Sequence, residues 1–159
     1  MKKKDDKTNV MRILEQNGIP YTAHAYPADG PTDGVSVAKI LNQDPEQVFK
    51  TLVTKAASGN YYVFDIPVAE NLDLKKAAKA VGEKSIAMIP QKELLPLTGY
   101  IHGGCSPIGM KKAFPTFIDE TAQLFDAICV SAGKIGAQVE LAPDDLARLT
   151  GAQYVQLTD

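Results

Sequence analysis

Apolar and polar positions change places along this chain in short blocks, and each block carries the period of one element. Over Asn9–Gln16 the residues Met11, Ile13 and Leu14 fall on one side of a helix, and Asn17-Gly18 supplies a stop. A strand is expected at 20–26. The run Asp29-Gly30-Pro31-Thr32-Asp33-Gly34 is dense in turn formers and precedes a short helical stretch, 35–41, so it reads as an exposed loop able to border a site. Asp44-Pro45-Glu46-Gln47 has the chemistry of an N-cap and first turn. β-Branched content returns in Val48-Phe49-Lys50-Thr51-Leu52-Val53-Thr54, and Ser58-Gly59-Asn60 separates it from Tyr61-Tyr62-Val63-Phe64-Asp65-Ile66, which predicts a hairpin.

Asp73 followed by Leu74-Lys75-Lys76-Ala77-Ala78-Lys79-Ala80-Val81 and Gly82 is the clearest helix, with an N-cap, strong helix formers and a C-terminal glycine. Strands are expected at 85–89, 116–119, 127–131, 138–141 and 154–157, and helices at 91–95 and 143–149. Many short strands, some joined as hairpins and interrupted by helices, do not give the regular rhythm of a doubly wound sheet. The pattern predicts a mixed α/β fold with a partly closed sheet and flanking helices.

A chain of 159 residues fits one domain, expected to span 1–159 with 1–8 as a flexible tail, and neither repeats nor a linker divide it. No apolar run reaches the roughly 18 to 20 residues that cross a bilayer, and Met1-Lys2-Lys3-Lys4-Asp5-Asp6 leads into a polar helix, so a cytoplasmic location and no membrane partner are expected. Cys105 and Cys129 lack a CxxC partner and read as free thiols. The net charge of -2 excludes the basic excess of a nonspecific nucleic-acid binder, so no DNA partner is expected and any RNA contact is local. Lysines cluster at Lys75-Lys76 with Lys79 and at Lys111-Lys112, and solvated helix faces and turns are the ordinary reading of such clusters.

Two glycine-containing segments carry candidate chemistry: Thr98-Gly99-Tyr100-Ile101-His102-Gly103-Gly104-Cys105-Ser106-Pro107-Ile108-Gly109 and Ser131-Ala132-Gly133-Lys134-Ile135-Gly136. Glycines let backbone approach a ligand and aim several N–H groups at one point, as a developing oxyanion requires, although neither segment has P-loop or dinucleotide spacing. Lys50 lies in an apolar strand, where it either points into a cleft or, by alternation with Phe49 and Thr51, stands on a solvent face. His24 and His102 lack metal-ligand spacing, and no metal or cofactor is called for. Cys105 and Ser106 beside His102 do not define a triad. Asp119-Glu120 and Asp144-Asp145 suit a strand end and a helix start as well as acid–base work.

The blocks Val48-Phe49-Lys50-Thr51-Leu52, Leu72-Asp73-Leu74-Lys75-Lys76-Ala77-Ala78-Lys79, Thr98-Gly99-Tyr100 with Gly103-Gly104-Cys105-Ser106-Pro107-Ile108-Gly109-Met110-Lys111-Lys112, and Ser131-Ala132-Gly133-Lys134 together resemble the YbaK/EbsC family, in order and spacing from about residue 10 onward. The resemblance implies a six- or seven-stranded, mostly antiparallel, barrel-like sheet with surrounding helices. It also implies kinship with the editing insertion of bacterial prolyl-tRNA synthetase, and hydrolysis in trans of Cys-tRNA(Pro) and Cys-tRNA(Cys).

On this resemblance Lys50 matches the family's essential lysine, the catalytic candidate, which holds the terminal ribose-phosphate or stabilises charge on the ester carbonyl, while the loop Gly103, Gly104, Ser106, Pro107 and Gly109 completes the cradle. Tyr26, Thr51, Ser131, Gly133 and Lys134 are the further substrate-binding candidates. The substrate's own thiol then attacks its ester and leaves as a cyclic thiolactone, a lyase-type route that needs no protein nucleophile. The implied partners are the 3′ end of aminoacyl-tRNA and, as a candidate, prolyl- or cysteinyl-tRNA synthetase. Cys105 stands where an aliphatic residue is frequent, Ala132 replaces a glycine, Ile135 stands where an arginine often follows the lysine, Gln138 lies near a common aspartate, and the 27–36 loop is slightly short. These departures leave open a deacylase for Ala-tRNA(Pro) or another small aminoacyl-tRNA using water. A module that binds tRNA or synthetase without chemistry is the rival from another class.

Overall fold

In the computed structural model, residues 7–159 are described, and their first ordered element is helix α1, Asn9–Gln16, as the apolar spacing predicts. The Thr8 side chain accepts a hydrogen bond from the Met11 N–H and so caps the helix, and Lys7 bonds Glu15 at 2.9 Å. Of the expected tail, residues 1–6 lie outside the described residues. Val10, Met11 and Leu14 are buried, with Ile13 only partly so, which turns the apolar stripe slightly from the expected side.

The remaining elements are β1 (Thr22–Ala25), α2 (Gly34–Ile40), β2 (Phe49–Ala56), β3 (Tyr61–Pro67), α3 (Leu74–Val81), β4 (Ile86–Met88), α4 (Leu94–Thr98), β5 (Thr116–Asp119), β6 (Ile128–Ser131), β7 (Ala137–Leu141), α5 (Pro143–Thr150) and β8 (Gln153–Val155). Helix α3 is capped by the Asp73 carboxylate, which accepts from the N–H groups of Lys75 and Lys76, and it ends at Gly82 with φ of 75°. Asp44 organises a single turn rather than a helix, because the Gln47 carbonyl accepts from the Cys129 N–H and draws the chain straight into β2.

The strands form two sheets, of order β1-β7-β6 and β4-β2-β3-β5-β8. This corrects the expected single barrel-like sheet of six or seven strands. Most pairings are antiparallel, as expected, but β5 lies parallel to both β3 and β8. Among the described residues one parallel β-bridge, Val48 with Cys129, links the sheets, and Phe49 and Ile118 of the larger sheet pack into the core of the smaller. Strand β4 pairs with Thr54–Ala56, and among the described residues the stretch 49–53 of β2 has no strand on its outer side. A cleft opens there.

The two larger of four buried clusters among the described residues hold this arrangement. One packs Val10 and Leu14 of α1 and Leu146 of α5 against Ile128, Val130, Val139 and Leu141 of the smaller sheet. The other packs Ala77 and Ala78 of α3 against Phe64 and Ile66 of the larger sheet, where Phe64 stacks on Phe117 with centroids 5.7 Å apart. Each fully buried Leu, Ile or Phe contributes about 1.5–3 kcal/mol of transfer free energy, enough to fix the strands that border the cleft.

Candidate active site at the parting of two sheets

The cleft encloses about 440 Å³ and is walled by the free edge of β2 on one side and by Ser131, Ala137 and Gln138 of the smaller sheet on the other. Its mouth is bordered by 32–35, the end of the loop that the turn residues marked as exposed, and by Gly103 and Cys105. The volume lies within the range of small-ligand sites.

Lys50 is half-buried and lines this cleft, which decides between the two positions its strand allowed. It pairs across the hairpin with Ile66. Burial lowers the pKa of its ammonium, and the nearby charge of Glu70 opposes that shift. Among the described residues no carboxylate lies within 4.0 Å of it, so the ammonium is available to an anionic or carbonyl group of a ligand.

The two glycine segments, separate in sequence, pack against each other. A Cβ on the buried Gly104 would meet the Cα and carbonyl carbon of Lys134 and the Ile135 nitrogen at 3.0 Å, so a side chain here would push this backbone away. Gly103, with φ of 90°, reaches the cleft surface. Tyr26 is also at the cleft, its N–H donating to the Gly136 carbonyl at 3.0 Å, and the Ser131 hydroxyl accepts from the Gly133 N–H at 3.1 Å.

Of the residues anticipated from sequence, Lys50, Tyr26, Thr51, Gly103 and Ser131 therefore share the cleft. Others lie behind or beside it. Ser106 is fully buried and its hydroxyl accepts from the Ile108 N–H, an arrangement that shapes the loop. Pro107 and Gly109 border a separate hollow of about 200 Å³, Gly133 packs on Tyr100 and Val10, and Lys134 is exposed while its backbone supports Gly104.

Sequence reasoning missed a polar group beneath the cleft floor. Asp65 on β3 is fully buried directly across from Thr51, whose hydroxyl donates to Asp65 Oδ1 at 2.6 Å, and Oδ2 has no hydrogen-bond partner among the described residues. Burial raises the Asp65 pKa to about 7, with the Thr51 hydrogen bond pulling the other way. Cys105, at the cleft surface, is pushed up to about 12 by burial and then by the Asp65 charge, so its thiol is not ionised near neutral pH. The signal was present: counting back from the Ser58-Gly59-Asn60 turn sets Thr51 opposite Asp65.

His102 lines the cleft, whereas His24 lies elsewhere on the smaller sheet and bonds Glu140 at 2.7 Å. His24, Glu140 and Cys129 bring possible metal-ligand atoms within 4.8 Å of one another, on three adjacent strands that no sequence spacing reveals. The His24–Glu140 hydrogen bond accounts for the polar atoms without an ion.

Two parted sheets place a lysine and a glycine loop at their junction, and the chain matches the aminoacyl-tRNA editing domain over residues 32–149. It belongs to that family. It is 47% identical over 158 residues, covering 99% of this chain and 96% of the relative, to EbsC of Enterococcus faecalis (strain ATCC 700802 / V583), whose name assigns it Cys-tRNA(Pro)/Cys-tRNA(Cys) deacylation. A solved structure described as a trans-editing enzyme for prolyl tRNA synthetase superposes with a TM-score of 0.82 at 27% identity, covering 96% of this chain and 98% of the other. The hypothetical protein APE2540 shares the fold at a TM-score of 0.87 and 20% identity, with 96% and 100% covered.

Proposed function

We propose that this chain is a trans-editing deacylase that cleaves the aminoacyl ester of Cys-tRNA(Pro), and of Cys-tRNA(Cys), at the tRNA 3′ end. The observation that carries the reading is a half-buried lysine in a cleft, with no carboxylate within 4.0 Å of it among the described residues. Such a site supplies charge and orientation but no protein thiolate.

An aminoacyl ester is already activated, and polarising its carbonyl lowers the barrier more than a strong nucleophile would. Lys50 stabilises the negative charge that grows on the carbonyl oxygen or holds the terminal phosphate. Gly103 contributes backbone at the cleft wall, Tyr26, Thr51 and Ser131 orient the aminoacyl end, and Gly104, Ser106, Pro107, Gly109, Gly133 and Lys134 hold the loops in place.

With a cysteinyl substrate, the thiol loses its proton to solvent and its sulfur attacks the ester carbonyl carbon. The bond from that carbon to the ribose oxygen breaks, the oxygen takes up a proton, and a cyclic thiolactone departs for hydrolysis by water. A thiol ionises near pH 8.5 and a hydroxyl does not, so serine is discriminated by reactivity rather than by fit. The net charge of -2 gives little purchase on a whole tRNA, and docking to prolyl- or cysteinyl-tRNA synthetase in the cytoplasm supplies the tRNA selectivity.

The test is ester loss from Cys-, Ala- and Ser-charged tRNA(Pro), with the native chain and with Lys50→Ala. Cysteine is expected to be lost fastest, with a trappable thiolactone, and the variant to fall by about 100-fold or more. No deacylation of any of the three, or full activity without Lys50, overturns the reading. Faster loss of alanine without thiolactone replaces it by water-based editing of Ala-tRNA(Pro).

A further inference from the structure

A buried carboxyl oxygen without a partner is rare enough to require an explanation, and Asp65 Oδ2 is such an atom among the described residues. Asp65 pairs with Thr51 across the β2–β3 hairpin, and the hydrogen of the Thr51 hydroxyl is committed to Asp65 Oδ1 at 2.6 Å. A hydroxyl has one hydrogen and two lone pairs, so the part of Thr51 left for the cleft is an acceptor. The group that it accepts from is a donor, and a positively charged donor fits best, because it in turn favours the ionised form of the carboxyl one hydrogen bond away.

Lys50 and Thr51 are consecutive on the β2 edge and both line the cleft, so adjacent positions of one wall carry opposite chemistry. Lys50 offers a cation and Thr51, backed by Asp65, offers an acceptor. An α-aminoacyl ester has the complementary pair: a carbonyl and phosphate that carry or develop negative charge, and an ammonium one carbon away from the carbonyl. This inference rests on the editing reading of the cleft and adds the group by which the aminoacyl end is recognised.

We propose that Thr51 and Asp65 form the receptor for the α-ammonium of the aminoacyl group, Thr51 accepting from it in the cleft and Asp65 acting behind Thr51 as a positioning residue. The exposed alternative is Asp33 at the cleft mouth, but its Oδ2 already accepts from the Ser36 N–H at 3.1 Å and the Ser36 hydroxyl at 3.0 Å, which holds it to the start of α2. An ammonium near Thr51 also relieves the cost of keeping Asp65 buried, since an opposite charge favours the ionised carboxylate.

Binding and turnover each test this. The probes are 3′-deoxy-3′-(alanylamino)adenosine, which carries a non-hydrolysable amide, and its N-acetyl derivative, which lacks the ammonium. The native chain is expected to bind the free amine about tenfold more tightly than the acetylated form, the equivalent of one charge-assisted hydrogen bond. In Asp65→Asn, which keeps an acceptor for Thr51 but loses the charge, and in Thr51→Val, the ratio falls to about one because only the free amine loses affinity.

Equal loss for both probes marks a structural role and overturns the proposal, as does an unchanged ratio in both variants. Collapse of the ratio in Asp33→Asn instead assigns the ammonium to the mouth of the cleft and also overturns it. The same comparison with aminoacyl-tRNA and N-acetylaminoacyl-tRNA reads kcat/KM. A native chain that binds the free amine selectively yet cleaves neither ester contradicts the deacylase reading and leaves the receptor supported.

Discussion

Replacing Asp65 by Asn should reverse the way stability changes with pH. The carboxyl is fully buried, and its pKa rises from an ordinary 3.8 to about 7 in the folded chain. Between these two values the folded state holds a proton that the unfolded state has released, so stability falls as pH rises through that window and levels off above about 7. The whole effect corresponds to about 4 kcal/mol, of which about 3 kcal/mol lies between about pH 4.5 and about pH 8. For a chain of this size that is roughly 6–12 °C in Tm. Other carboxylates work in the opposite direction: Glu15, Asp33, Asp73 and Glu83 are held below their usual range by hydrogen bonds, so they lose stabilisation as pH falls. The difference between variant and native chain isolates Asp65 from them. Denaturant unfolding of both proteins across this range should show Asp65→Asn level with or slightly below the native chain at the acid end, and more stable by about 3 kcal/mol at the alkaline end. A difference that does not change with pH refutes the argument that burial holds this carboxyl neutral, and a difference of opposite slope shows that Asp65 has a cationic partner in the free protein.

Gly104→Ala should lower both stability and deacylation, by about 1–3 kcal/mol in unfolding, because the added carbon meets Lys134 and Ile135 backbone that cannot rotate away; thermal melts and initial rates check this together. Cys105→Ala should keep deacylation within a few-fold of the native rate, and native Cys105 should alkylate slowly near neutral pH, since its thiol is pushed up to about 12. Loss of all activity in that variant would restore a protein nucleophile. Leu146→Ala, at a fully buried contact between α5 and the smaller sheet, should cost about 2–5 kcal/mol in denaturant unfolding.

The legible parts of this chain were those set by local chemistry. Helix α1 follows from its apolar spacing and stop signal, α3 from Asp73 and Gly82, and the β2–β3 hairpin from two β-branched runs around Ser58-Gly59-Asn60. Strand β5 also matches its expected span. The division into two sheets was not legible, because it depends on which strands meet across long connections: β3 with β5 and β5 with β8 lie parallel after intervening helices, and a single Val48–Cys129 bridge joins the halves. The site shows the same division. Lys50 and the glycine segments announce themselves by residue type in context, but their meeting does not, since the packing of Gly104 on Lys134 joins segments about thirty residues apart. Asp65 was passed over because an acidic residue in a strand is read as solvent-facing by default.

Its burial changes the meaning of Lys50. The two groups of opposite charge are near one another along the hairpin, Lys50 opposite Ile66 and Asp65 opposite Thr51, yet strand alternation sends them to different faces and prevents an ion pair. Had they paired, the lysine would be neutralised and the acid satisfied, a more stable arrangement with nothing left for a ligand. Kept apart, both carry a desolvation cost in the free protein, visible as a lowered pKa for the lysine and a raised one for the acid. A ligand with an anionic or carbonyl group and an ammonium a few ångströms apart relieves both costs at once, and an uncharged ligand of the same shape relieves neither. Binding of the alanylamino-adenosine probe should therefore flatten the pH dependence of native stability, whereas its N-acetyl form should leave the slope intact. The outcome is read from Tm against pH at saturating probe, and equal flattening by both forms would detach Asp65 from ammonium recognition.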